Sequence, residues 1–363
     1  MSRQPRASGH FRTGYAQDFK LIQTPLERTA LAALLALLAG LPFLASPFLL
    51  DLANQVFLAS IGALALMLLT GYAGQVSLGH AGLMAAGAFT VGILAKEIGA
   101  PFWVTLPAAA LVGSLLGLLF GLPSLRLRGL YLAVSTLALH FLVVYCGGEY
   151  ESRRGYSTGI VIDPPSIGGH AITSGRAWYF VLGLTAAGTL LLCLNLLRSG
   201  TGRAWAAIRA NETVAEALGI GVAAHKLLAF VLSSLITAVA GALFSYYRGF
   251  VSVEAFSLFL SIQYVAMIII GGMGSLLGSL LGALLGALLV TLFPYGIEAV
   301  LGALPGARRY AGALFAVNYT AFGLVMILFL VLEPLGLVGI WRRIETYFVL
   351  WPFKYRPLAG RQR

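Results

Sequence analysis

The sequence predicts an all-α, polytopic membrane bundle, and three observations carry that reading. Of its 363 residues, 59% are hydrophobic and only 10% are charged, with a mean hydropathy of +0.89, whereas a soluble fold needs a more charged surface. Apolar runs close to the roughly 20 residues of a bilayer-crossing helix recur along the whole chain. Basic residues gather on alternate connections, which is the usual orientation signal of membrane proteins rather than a nucleic-acid footprint, so the net charge of +11 implies no nucleic acid.

Ten runs bounded by Gly, Pro or charge are expected to cross. Residues 1–28 are polar and basic and read as an N-terminal tail. The run 29–47 is longer than a signal-peptide core and is expected to be an uncleaved first span. The next three, 52–70, 79–95 and 102–122, follow Asp51, a glycine-rich stretch and Pro101. Runs 129–147, 177–197 and 226–247 are closed by Gly147-Gly148, Arg198 and Arg248. Run 258–271 is short for a span, tilted or partly re-entrant, and 275–293 and 312–332 stop at Pro294 and Glu333-Pro334. The transmembrane domain is thus 29–332, with loops at 148–176 and 198–226 and a C-terminal tail at 333–363.

Ten crossings put both termini on one side, and the charges test that side. Segments 1–28, 123–128, 198–226 and 333–363 hold 17 of the 24 basic residues and net +11, while the opposite side nets zero. The basic side is expected to be cytoplasmic. Cys146 and Cys193 both lie in apolar runs, so neither a disulfide nor a metal site follows from them.

Three stretches are not ordinary spans. Gly71-Tyr-Ala-Gly-Gln-Val-Ser-Leu-Gly-His80-Ala-Gly interrupts apolar sequence with four glycines and the polar Gln75, Ser77 and His80. Irregular backbone at membrane depth persists only where protein or an aqueous cavity covers it, so these three residues are pathway candidates, against a packed turn with a hydrogen-bonded His80. No second ligand stands at i+3 or i+4 of His80, which argues against a metal. The glycines Gly274, Gly278, Gly282 and Gly286, echoed by Gly113, Gly117 and Gly121, place small residues on one helix face for close packing, within the bundle or against a second subunit. In the loop 198–226, Asn211 is an N-cap, Glu212 suits a helix N-terminus and Gly219 a C′ stop, with Val214, Ala217 and Leu218 on one face and a second helix through Ala204–Arg209. Composition leaves open whether this loop docks a soluble subunit or lies on headgroups with Trp205 as anchor.

The loop, read as Gly202-Arg-Ala-Trp-Ala-Ala-Ile-Arg, Ala215-Glu-Ala-Leu-Gly-Ile-Gly221 and Lys226-Leu-Leu-Ala-Phe230, resembles that of the branched-chain amino acid ABC transporter permeases of the LivM type. Glu216-Ala217 and Gly219 are similar to the Glu-Ala-Ala and Gly loop through which importer permeases meet their ATPases. Gly71–Gly82, Leu125–Ala133, Gly249–Phe256, Ile270–Ser275 and Glu333–Leu337 match the same family in order. The outer loop keeps only Tyr156-Ser-Thr-Gly-Ile160 of the family's usual run, which leaves the solute open.

The resemblance implies an ABC importer permease fold in a bacterial inner membrane, two cytoplasmic ATPases carrying ATP and Mg, a second permease of the LivH type and a periplasmic binding protein. It also implies that Ala204, Arg209, Asn211, Glu212, Glu216, Ala217 and Gly219 form the ATPase-coupling contact. The chain itself cannot hold ATP by a P-loop, because Lys20, Lys96, Lys226 and Lys354 follow Phe, Ala, His and Phe. The competing classes are an ion-coupled secondary transporter, for which only His80 and His140 stand as intramembrane titratable candidates, and a non-transporting assembly scaffold. A polytopic enzyme is disfavoured, since no carboxylate pair or activated nucleophile lies at membrane depth.

Overall fold

The computed structural model describes residues 25–302, 314–333 and 335–350, apart from 126, 128, 157–158 and 168–169. Most of the 1–28 tail, and the tail beyond 350, lie outside the described residues. Each predicted run forms a helix: α1 (Pro25–Leu44), α2 (Pro47–Leu66), α3 (His80–Glu97), α4 (Phe102–Ser124), α5 (Leu130–Arg154), α6 (Gly175–Arg198), α9 (Val222–Arg248), α10 (Leu258–Gly271), α11 (Leu276–Gly302) and α12 (Leu314–Leu332). The loop between α6 and α9 holds α7 (Gly200–Ala210) and α8 (Glu212–Ala217), and α13 (Gly336–Leu350) follows α12. Among the described residues six helices are long and apolar enough to cross a membrane.

Several boundaries differ from the sequence reading for local reasons. Pro47 starts α2 rather than ending the first span, because Ser46 caps it, its Oγ accepting from Leu49 N–H. Asp51 then sits inside the helix, with its carboxylate taken by Gln55 Nε2 at 2.7 Å and by the Tyr247 hydroxyl. Helix α5 runs past Gly147-Gly148 to Arg154, helped by the Glu149–Arg153 pair at 2.7 Å and stopped by Gly155 in the left-handed region. The loop expected at 148–176 therefore begins at Gly155, where β1 (Ile160–Val161) pairs with β4 (Phe250–Val251) and β2 (Ser166–Ile167) with β3 (His170–Ala171), both antiparallel. The stretch after Glu333 is not simply a tail, since it includes α13.

Helices α2 and α9 form the centre. In their most apolar windows 78% and 61% of residues are buried, against 28%, 33% and 22% for α4, α5 and α6, which turn one side outward. Both glycine ladders serve contacts inside the chain: Gly113, Gly117 and Gly121 of α4 lie against Ala238, Ser234 and Leu227 of α9, while Gly278, Gly282 and Gly286 of α11 lie against Gly271 and Met267 of α10. Gly274 is the exception to the ladder. It precedes α11, in the turn, at φ +87°.

Helix α10 spans about 21 Å at 1.5 Å per residue, less than the roughly 30 Å hydrocarbon core. A 3₁₀ turn at Val253–Phe256 lengthens it at the strand-bearing end, and its other end reaches Gly272 and Gly274 beside Gly71. The short run thus connects the two ends of the bundle.

Candidate coupling and pathway site

The α2 helix finishes in a π-helix, Met67–Tyr72, after which the chain leaves helical geometry until His80. Side-chain burial alternates through this segment: Ala73, Gln75, Ser77 and Gly79 face the bundle, while Gly74 and Val76 are exposed. Gln75 Nε2 donates to Lys226 O at 3.0 Å, and Leu78 N–H donates to Thr136 Oγ1 at 2.9 Å. At its end His80 Nδ1 lies 3.4 Å from Thr237 Oγ1, and Ala81 N–H donates to Ser261 Oγ at 2.9 Å. From Lys226 to Thr237 is about 16 Å of rise along α9, a distance the extended stretch from Gln75 to His80 covers at about 3.3 Å per residue. Helix α3 therefore starts halfway into the bundle, and an extended segment supplies the other half.

All three pathway candidates are enclosed in this conformation: Gln75, Ser77 and His80 have relative exposures of 4%, 2% and 1%. Ser77 Oγ accepts from Gly79 N–H at 3.3 Å. The His80 ring lies 4.6 Å from that of Tyr264, and its Nε2 is buried with no hydrogen-bond partner. Their side chains hold the segment from behind, and the side turned outward is Gly74 and Val76. Among the described residues the amides of Gly74, Val76 and Ser77 make no hydrogen bond. His140 is likewise buried, packed on Gly82.

The loop at the same end is a rigid helix pair. Asn211 closes α7 and caps α8, its Oδ1 accepting from Val214 N–H at 3.1 Å. Gly219 at φ +83° ends α8, with Ile220 N–H donating to Ala215 O at 3.1 Å. Ala204, Trp205 and Ile208 are the inner face of α7, and Trp205 is fully buried with its Nε1 donating to His225 O at 2.8 Å. That overturns Trp205 as a headgroup anchor: its indole is consumed by packing against the base of α9. Outward lie Glu216, Ala217 and Gly219, with Val214 53% and Leu218 73% exposed.

Two charged side chains join this pair to the bundle. Lys226 Nζ reaches Glu212 Oε1 at 2.5 Å, and the Arg209 guanidinium donates to Gly71 O at the end of the π-helix. The Arg209 stem crosses Gly74, whose added Cβ would lie 3.3 Å from its Cγ, and Nη1 would be 2.9 Å from a Cβ on Gly274. Arg209, which the resemblance places in the ATPase-coupling contact, remains an exposed residue. In the structure it joins α7 to the π-helix and to the α10–α11 turn. Lys226, Thr136, Thr237 and Ser261 are partners of the segment that the sequence does not single out as such: Lys226 reads as the junction of the 198–226 loop and the next span, and the hydroxyls stand singly in apolar runs.

At the opposite end a pocket of about 250 Å³ lies between the α3–α4 connection and the strand-bearing α5–α6 loop, lined among others by Lys96, Phe102, Asp163 and Tyr246. Among the described residues no three His, Cys, Asp or Glu side chains gather as metal ligands would.

Residues 48–332 match the family described as the permease component of branched-chain amino acid transport systems. The chain is 33% identical over 276 residues to the high-affinity branched-chain amino acid transport permease LivM of Salmonella typhimurium and equally to that of Escherichia coli. The match covers 69% of this chain and 65% of theirs, so it spans just under two thirds of those relatives. It is also 31% identical over 169 residues to the autoinducer 2 import permease LsrC of Klebsiella pneumoniae, 46% of each chain. No solved structure matches.

Proposed function

The chain belongs to the branched-chain amino acid transport permease family; from that premise we propose that it is the multi-pass transmembrane permease of an ABC transporter and passes branched-chain amino acids or related small polar solutes inward under ATP drive. The partners are two cytoplasmic ATPases, which hold ATP and Mg, a second permease of the LivH type and a periplasmic binding protein. The end bearing α7 and α8 is cytoplasmic in this reading, as are both termini, in a bacterial inner membrane. The binding protein docks at the opposite, strand-bearing end.

The observation that carries the proposal is a surface joined to a joint. An apolar patch, Val214 and Leu218 beside Glu216, Ala217 and Gly219, stands on a capped helix pair with a hard connection to the non-helical segment. A rigid element transmits displacement that a floppy loop absorbs. ATPase closure moves α8, α7 carries the movement, and Arg209 delivers it to Gly71 and to the Gly274 turn. Ala204, buried in α7, takes part as a packing contact, and Asn211 and Glu212 hold the pair in shape.

The pathway side of the segment is the outward one. Lipid offers nothing to the bare amides of the exposed Gly74 and Val76, which supports water, solute or a protein partner beside them. Gln75, Ser77 and His80 then set the segment's position and would meet solute only after the bundle rearranges.

Affinity purification in mild detergent tests the reading. ATPases and a second permease are expected to come down with the chain; a lone chain that transports in proteoliposomes without ATP would end it. Within the complex, Leu218→Asp is expected to weaken ATPase retention by about tenfold, the equivalent of roughly 1.4 kcal/mol, with membrane insertion unchanged. Glu216→Arg is expected to leave ATP hydrolysis running without uptake, and normal uptake by that variant would remove Glu216 from the coupling contact.

A further inference from the structure

We propose that α13 is a membrane-surface helix that binds anionic phospholipid at the same end of the bundle as α7 and α8. This rests on the chain being a membrane permease and not on the direction or energy source of transport.

Three observations converge on it. First, α12 presents Leu324, Ile327, Val331 and Leu332 outward at 62%, 64%, 74% and 68% exposure, and Leu335 continues the apolar surface into the next turn. That surface has lipid as its natural cover. Second, the chain is then bent and held. Gly336 at φ +67° sits so close to the α10 end that a Cβ there would be 2.5 Å from Ile270 O. Val338 packs toward Gly272 and Gly278, and Arg343 Nη2 pairs with Glu333 Oε1 at 3.0 Å, drawing the helix back to the end of α12.

Third, beyond this first turn the described side chains lie mostly in the open and are segregated. Ile340, Trp341, Ile344 and Tyr347 recur at helical spacing on one side, 38–65% exposed, while Arg342 and Arg343 lie off that stripe. An apolar stripe with a Trp and a Tyr, flanked by arginines and continuous with a lipid-facing helix, has the make-up of an element lying in the headgroup layer. The next residues add Lys354, Arg356, Arg361 and Arg363, so the lipid chosen is anionic. Trp205 of the 198–226 loop, the alternative headgroup anchor, is buried, whereas Trp341 is open.

The assembled complex, with Cys146 and Cys193 replaced by Ala, is given a nitroxide at Ile344→Cys or Thr346→Cys and placed in nanodiscs of phosphatidylcholine with or without phosphatidylglycerol. The label at 344 is expected to be shielded from a water-soluble relaxing agent and open to oxygen, and that at 346 the reverse. Arg342→Gln, outside the Glu333 pair, is expected to lower the phosphatidylglycerol retained in native mass spectrometry several-fold. A label at 344 open to water in both lipids overturns the proposal. So does shielding that disappears when the ATPases are stripped, because protein would then be the cover. If the cysteine-free chain does not assemble, equal retention of the two lipids by the unmodified complex overturns it as well.

Discussion

Arg209→Ala is expected to abolish solute uptake while the ATPases stay bound and continue to turn over. Its guanidinium donates to Gly71 O, its stem lies over Gly74 and its head approaches Gly274, so one side chain spans the end of the π-helix, the start of the extended segment and the α10–α11 turn. A charge-assisted hydrogen bond is worth about 1.5–3 kcal/mol, which shifts a two-state equilibrium by roughly tenfold to a hundredfold. Losing it disconnects α7 from the segment without disturbing the outward Val214–Leu218 patch. The check is paired: uptake in proteoliposomes falls at least about tenfold, and ATP hydrolysis by the same preparation stays within about twofold of the parent. Arg209→Lys is expected to restore only part of the uptake, since a point charge cannot copy the planar fork. Uptake at the parental level in Arg209→Ala would show that force enters elsewhere.

Gly241→Val is expected to prevent accumulation of folded protein. A Cβ on Gly241 would lie 1.9 Å from Met84 O, and one on Gly87 1.9 Å from Ala238 O, so α3 and α9 cross backbone to backbone. No side-chain rotation relieves such a contact. The helices must move apart, forfeiting the close packing that replaces hydrophobic drive between helices in lipid. The same crossing positions His80 beside Thr237, so its loss also dismantles the candidate pathway. Monodisperse yield from detergent measures the effect. Gly40→Ala and Gly188→Ala, where nothing lies within 4 Å of an added Cβ, are the controls, expected to be neutral or to stabilise by about 0.5–1 kcal/mol. A monodisperse Gly241→Val at normal yield would mean that the crossing tolerates separation.

The helices and the caps were legible because their causes are local. Length and apolarity set the helices, Asn211 and Gly219 bracket α8, and four-residue spacing put the glycines of each ladder on one face. The Gly87–Gly241 crossing was invisible, since neither glycine stands in a repeat and the partner of each is a carbonyl some 150 residues away in the chain. The loop reading was half legible: its outward face follows from helical spacing, yet the Arg209 guanidinium and the Trp205 indole find partners at Gly71 and His225 that no local pattern names.

Composition, periodicity and capping residues alone determined a membrane bundle, its sequence of helices, a structured loop at 198–226 and the interruption at 71–82, because bilayer thickness and backbone hydrogen bonding act on neighbouring residues. Tertiary structure decided which side of that interruption faces outward, that Arg209 reaches Gly71 and the Gly274 turn, and that Trp341 instead of Trp205 is left open. Those outcomes depend on which distant carbonyl, hydroxyl or glycine arrives opposite each side chain, and only the packed bundle brings them together.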